Sequence, residues 1–385
     1  MSDNRGKRLD FKFVDGMRAI AAIAVALFHA YLFTGHNGDT ANDLPAPFKV
    51  FGLGDFAVPL FIVLSGFVLM IPVAGSPRLD LRHGAWGYIK RRARRILPPY
   101  YISLALFGAL IFLVPLLQQE RDTAWDSKVP VTPLGIVSHA LVIHNLNPEW
   151  IYQINGPAWS VATEWQLYFA LPFLLLPIWR RFGATTALIT ALVFGAGLSM
   201  VPGFEGAHFW FLGLFAMGGL AARQVVKGQP VRDLGLMTLT AWFATAVIIG
   251  LFHPRQIISE TVLGVSIALL LVWLSTFKQN DRSNWLLKIL ESRFLVRVGL
   301  WSYSLYLIHS PILALGNLLL LDSQMSTMTR FAIEIFVVLP IAGAIAYLFH
   351  VLVERRFMTS HQQSVKASET GSTGAKHAAD PVANR

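Results

Sequence analysis

The chain has 385 residues, of which 54% are hydrophobic and only 14% charged, with a formal net charge of +10. Soluble domains carry roughly 25% charged residues, so this composition excludes an ordinary soluble fold. Cysteine is absent, which excludes disulfides, thiolate metal sites and a cysteine nucleophile, and no metal site is expected.

Apolar stretches near residues 15–34, 51–72, 98–117, 157–179, 184–202, 207–222, 234–252, 259–277, 298–320 and 330–353 each approach the roughly 20 residues that a hydrocarbon core requires. They predict an all-α integral membrane protein of about ten transmembrane helices. The first stretch follows Arg5, Lys7, Arg8 and Lys12 without a small-x-small cleavage site, so it reads as a retained helix rather than a signal peptide. Arg18 and His29 share that helix. Eleven residues at about 100° each return them to nearly one face, roughly 16 Å apart along the axis. Ionisable residues inside a span point to function, although a snorkelling arginine and a structural histidine would read alike.

The second stretch contains Pro59–Phe67, with Ser65 and Gly66 in mid-helix; close helix packing is a sufficient explanation for both. Ahead of the third, Lys90-Arg91-Arg92-Ala93-Arg94-Arg95 puts five cations in six residues. A positive-inside anchor accounts for part of that run, and its density also suits a phosphate-bearing ligand. Segment 133–145 is short, holds two histidines, and reads as interfacial or re-entrant on the outer side. With that assignment one face of the membrane receives every Lys and Arg except Arg18, Lys49, Arg121, Lys128, Arg255 and Arg330. The positive-inside rule then makes both termini cytoplasmic.

The fourth stretch opens at Pro157, a residue suited to a first helical turn, and carries Trp159 and Trp165 as interfacial aromatics. Glu164 lies one to two turns inside, where an unpaired carboxylate is costly. Depth counting sets Glu164 and His29 both roughly 8–10 Å below the outer surface, within reach of one another as a general base and its orienting acid. Farther on, Tyr303 and His309 fall in the ninth stretch, His309 near Pro311, where a packing histidine beside a kink is an equal alternative. Residues 358–385 have the composition of a disordered cytoplasmic tail.

Taken in order, Asp15–Ala19 with His29, Pro59–Phe67, Arg91–Tyr101, Trp159-Ser160 with Glu164, and Ser302–His309 resemble the membrane-bound acyltransferase-3 family. The resemblance covers roughly residues 10–357 and implies a transmembrane acyltransferase domain over 1–357, without the fused hydrolase-like domain of some members. It implies an enzyme of the inner (plasma) membrane that moves an acyl group, most often acetyl, from cytoplasmic acyl-CoA. The acceptor is a hydroxyl of an extracytoplasmic glycan or glycosylated natural product. His29 resembles the catalytic histidine and Arg18 its partner, with Glu164 assisting. Arg91 and Arg94, or Arg92 and Arg95, resemble the pair linked to CoA, while Ser65, Trp159, Tyr303 and His309 are substrate-binding or structural. Acyl-CoA, acetyl-CoA above all, is then a donor substrate, and no permanently bound cofactor is expected. The remaining partners are the glycan or glycoside acceptor and the lipid bilayer, with no nucleic acid. The rival is a proton-coupled transporter or flippase working through His29, Glu164 and His309. It leaves the arginine run unexplained, and the sequence carries no visible inverted repeat.

Overall fold

The computed structural model describes residues 11–228, 230–252 and 255–358; the basic residues Arg5, Lys7 and Arg8 and the expected tail beyond residue 358 lie outside the described residues. Among the described residues all regular structure is helical. The chain runs through α1 (Lys12–Phe33), α2 (Ala57–Ala74), α3 (Gly84–Leu113), α4 (Pro133–Ala140), α5 (Ala158–Phe182), α6 (Ala184–Leu198) and α7 (Phe211–Lys227). It continues through α8 (Leu234–Phe252), α9 (Gln256–Gln279), α10 (Trp285–Leu290), α11 (Arg293–Leu300), α12 (Ser302–Leu320) and α13 (Thr327–Leu352).

Among the described residues eight helices are long and apolar enough to cross a membrane: α1, α2 with its 3-10 lead from Ala46, α3, α5, α8, α9, α12 and α13. The other two expected spans take the form of α6 and α7, of 15 and 17 residues. At 1.5 Å per residue these are roughly 22 and 26 Å long, below the roughly 30 Å of a hydrocarbon core. For α7 enclosure matches the short length: it is buried along most of its length and packs against α2, α6 and α9. Elsewhere the outer surface is apolar: Phe112, Phe243 and Phe336 are 80%, 73% and 76% exposed. In water such side chains are a liability, whereas in lipid they are the ordinary exterior.

Two close approaches fix the frame around the site. A Cβ at Gly66 of α2 would strike the Phe215 carbonyl of α7, and one at Gly218 of α7 would strike the Val63 carbonyl of α2. The expectation of close packing at Gly66 therefore holds, and the two backbones meet at reciprocal glycines. Two further close contacts set the N-terminal end of α1, where Gly16 abuts the Leu290 carbonyl of α10 and Gly299 of α11 abuts the Asp15 carbonyl. At the opposite end Asn317 of α12 clamps Gly35. Its amide donates to the Gly35 carbonyl (3.0 Å) and its carbonyl accepts from the Gly35 N–H (2.7 Å). Thus α1 is held at both ends, and Arg18 and His29 along it are fixed in position.

The 133–145 segment forms α4, eight residues long, about 12 Å and too short to span. Thr132 caps it by accepting from Gly135 N–H. The hydroxyls of Tyr100 and Tyr101 donate to the carbonyls of His139 and Ala140, which ties this segment to α3. His139 and His144 stack with ring centroids 3.8 Å apart. Burial pushes His139 down to about 4, so the pair is a neutral, buried prop.

Candidate active site

His29 sits one turn from the outer end of α1 and is partly buried. Its Nδ1 lies 2.9 Å from the Val25 carbonyl and 3.2 Å from Nε2 of His309, the two rings meeting edge to face at 4.9 Å. His309 is fully buried in α12, and its own Nδ1 is 2.8 Å from the Leu305 carbonyl. A carbonyl only accepts, so Nδ1 of neutral His309 carries the proton and its Nε2 offers a lone pair. The proton of His29 then belongs on Nδ1, shared between two acceptors. That leaves Nε2 of His29 unprotonated, on a ring that lines a cavity.

This outer cavity has a volume of about 850 Å³. Trp159 and His208 form one wall, stacked at 4.1 Å, with Tyr152, Tyr306, Asp55 and Gln256 also on the lining. The wall is braced from behind: Trp210 Nε1 and Gln256 Nε2 both donate to the buried Glu260 carboxylate, at 2.6 and 3.1 Å. His208 is pushed down to about 4 by burial, so it meets a ligand as a neutral aromatic group. Flat apolar faces beside hydroxyl, amide and carboxylate groups make a surface able to hold a polyhydroxylated ring.

A second cavity, of only about 60 Å³, lies on the inner side and is lined by Arg18, Glu164, Ser302 and Tyr303 among others. Val58 and Tyr306 line both cavities and so form the waist between them. Tyr306 is held there by bonds from its hydroxyl to Ser160 Oγ (2.6 Å) and the Pro157 carbonyl (3.1 Å). Arg18 and His29, three turns apart on one helix face, therefore address two sides of one constriction.

Glu164 departs from the sequence expectation. Its Oε1 accepts from Ser65 Oγ at 2.8 Å and from Tyr168 Oη at 2.6 Å, and it lines the inner cavity with Arg18. The structure does not bring it to His29, whose orienting partner is His309. Glu164 lies with Arg18 on the other side of the waist from His29, so the equal depth expected from counting residues does not hold. Ser65, which packing alone seemed sufficient to explain, is the residue that holds the carboxylate. Tyr303 donates to the Ile96 carbonyl at 3.0 Å, fastening α12 to α3 beside the inner cavity.

The arginine run divides by helix face. Arg94 is exposed, while Arg91, Arg92 and Arg95 are half-buried. Arg91 turns back to donate to the Arg82 carbonyl at 2.8 Å. Arg92 Nε is buried with no hydrogen-bond partner among the described residues, and Arg95 lies in electrostatic reach of Arg18 and Glu354. Sequence reasoning missed Glu354, which accepts from Ser304 Oγ (2.6 Å) and pairs with His350 Nδ1 (2.7 Å), all three buried. It also passed over Lys128, counted only as an outer-side cation although its side chain lines the cavity of His29.

A family model described as an acyltransferase domain matches residues 11–351. Acyltransferase MdmB of Streptomyces mycarofaciens is 25% identical over 89% of this chain and 90% of its own length. Peptidoglycan O-acetyltransferase OatA of Listeria monocytogenes is 23% identical over 78% of this chain. O-acetyltransferase OatA of Staphylococcus aureus is 22% identical over 79%. The match spans about half of each of those two longer proteins, 49% and 51%. No solved structure matches.

Proposed function

Because the chain belongs to the acyltransferase family whose model spans residues 11–351, and is an all-α membrane acyltransferase, we propose the following reaction. It moves an acyl group, acetyl above all, from cytoplasmic acyl-CoA to a hydroxyl of an extracytoplasmic glycan or glycoside. The acceptor class takes its support from the relatives that act as O-acetyltransferases, one of them on peptidoglycan, and from the aromatic wall of the outer cavity. The charge distribution supports cytoplasmic termini and a multi-pass location in the plasma membrane.

One observation carries the mechanism: His29, its unprotonated nitrogen on the outer cavity, and Arg18, on the inner cavity, flank a waist that both cavities share. Arg92 and Arg95 attract the CoA phosphates at the inner mouth, and the slender pantetheine arm passes Arg18 toward His29. The acceptor hydroxyl enters from the outer cavity. Nε2 of His29 takes its proton as the oxygen attacks the thioester carbon. The tetrahedral species collapses, the C–S bond breaks, and the CoA thiolate recovers that proton from His29. An ester and a free thiol are the products, and no net proton is consumed. His309 holds His29 in the reactive tautomer throughout.

The test is mass spectrometry of surface glycans and secreted glycosides from a deletion strain complemented with wild type or His29→Ala. Acyl esters that disappear on deletion should return with wild type alone. Their return with His29→Ala at equal membrane abundance would overturn the assignment.

A further inference from the structure

We propose that Lys128 is a catalytic residue of the outer cavity: its ammonium group stabilises the oxyanion that forms when the acceptor attacks the acyl carbonyl. The inference rests on the acyl-CoA reading above and supplies the one component that reading lacks, a cation for the charge that develops on the thioester oxygen. His29 removes a proton but cannot at the same time donate to that oxygen.

Lys128 is only 6% exposed, and a lysine so buried is normally paired with an acid. The adjacent Asp126 is otherwise engaged, its carboxylate accepting from Arg121 N–H, Thr123 N–H and Thr123 Oγ. Of the three ammonium donors, two go to the Ala124 carbonyl (3.0 Å) and Ser127 Oγ (2.5 Å), which leaves one without an acceptor among the described residues. The side chain is held in place. Its amine lies 5.7 Å from the Phe33 ring and 5.2 Å from the Tyr152 ring. A Cβ at Gly156 would come within 2.6 Å of Lys128 Cε, so a glycine is needed where the stem passes. The His29 ring lies 5.9 Å from the same Phe33 ring, and both residues line the same cavity. A buried, preorganised cation on the same cavity as a general base is what oxyanion stabilisation requires.

Burial also lowers the Lys128 ammonium to about 8, so its charge is present below that pH and lost above it. The charged and titratable groups around it are Asp126 on its own turn, His29 on α1, Asp55 ahead of α2, Tyr152 and His208. The Tyr152 phenol is pushed up by burial and His208 lies near 4, so neither changes charge in that window.

Full-length protein in liposomes is assayed for CoA release, with acetyl-CoA as donor and soluble peptidoglycan fragments as acceptor. Lys128→Met should lower kcat about 100-fold, the scale for losing one oxyanion donor, with both KM values within about twofold. Lys128→Arg, whose charge does not titrate, should keep activity within about tenfold and lose the fall in rate above pH 8. Radiolabelled acetyl-CoA binding reports folding of each variant. A rise in acceptor KM with kcat intact makes Lys128 an acceptor anchor and overturns the proposal. So does a Lys128→Arg enzyme that retains the wild-type alkaline limb, which decides the matter if the Met variant fails to fold. A wild type that neither releases CoA nor binds radiolabelled acetyl-CoA overturns the acyl-CoA reading itself, and this inference falls with it.

Discussion

The two cavities that meet at Val58 and Tyr306 differ sharply in size and lining. The outer one is about 850 Å³ with an aromatic wall and His29 on its lining. The inner one is about 60 Å³ and is walled by Arg18, Glu164 and Tyr303. In the proposed reaction the wide, aromatic-walled chamber takes the bulky acceptor and the charged neck faces the anionic donor. One half would then select by shape and the other by charge, with the chemistry at the waist, where each half presents one residue of α1.

The sharpest way to break this division is His29→Ala, because everything assigned to the outer chamber converges on that ring. Transfer should fall by about 10³-fold, within the range for losing a general base, while binding of radiolabelled acetyl-CoA stays intact. Loss of donor binding in that variant would merge the two halves and dissolve the distinction. Next in size is His309→Phe, which removes the acceptor that fixes the His29 proton on Nδ1. A drop of about 10–100-fold in kcat is expected, the scale for losing a group that orients a reactive histidine, with KM for acetyl-CoA unchanged.

The inner half should respond in the opposite parameter. Arg92→Gln and Arg95→Gln each remove a charged donor worth about 1.5–3 kcal/mol, so KM for acetyl-CoA should rise about 10–100-fold with kcat within about threefold. Arg94→Gln, on the exposed face of α3, should stay within about twofold of wild type. Equal effects at 94 and 95 would mean that the run acts as a diffuse anchor and not as a directed site.

Much of this architecture is legible from residue order alone. Apolar length identifies the long helices because it is a local signal, and the distribution of Lys and Arg over the whole chain identifies 133–145 as a non-spanning segment. The shortness of α7 is not legible, since it goes with α7 being enclosed by protein. Helix arithmetic correctly sets Arg18 and His29 on one face of one helix. It fails for Glu164 and His29, which lie on different helices and on opposite sides of the waist, because residue counting fixes neither the relative offset of two helices nor the rotation of either. The His29–His309 pair joins residues 280 apart, and Lys128 lies in a loop with no periodic signal. Only tertiary packing brings either to the waist.

Glu164 yields the smallest predicted effect and the most discriminating one. Both of its donors, Ser65 and Tyr168, bond to the same Oε1, and a glutamine keeps a carbonyl oxygen there to accept them. Glu164→Gln should therefore preserve the neck and lower kcat by less than about tenfold, since only the charge is lost. Removing a negative charge from the lining it shares with Arg18 should favour an anionic donor, so KM for acetyl-CoA should fall, by roughly two- to threefold at the 0.5 kcal/mol scale of a screened charge pair. A carboxylate that served as the acid partner of His29 would behave otherwise, with kcat collapsing toward the His29→Ala level and KM unmoved. The signs of the two parameters thus separate a residue that shapes the path of the donor from one that tunes the base.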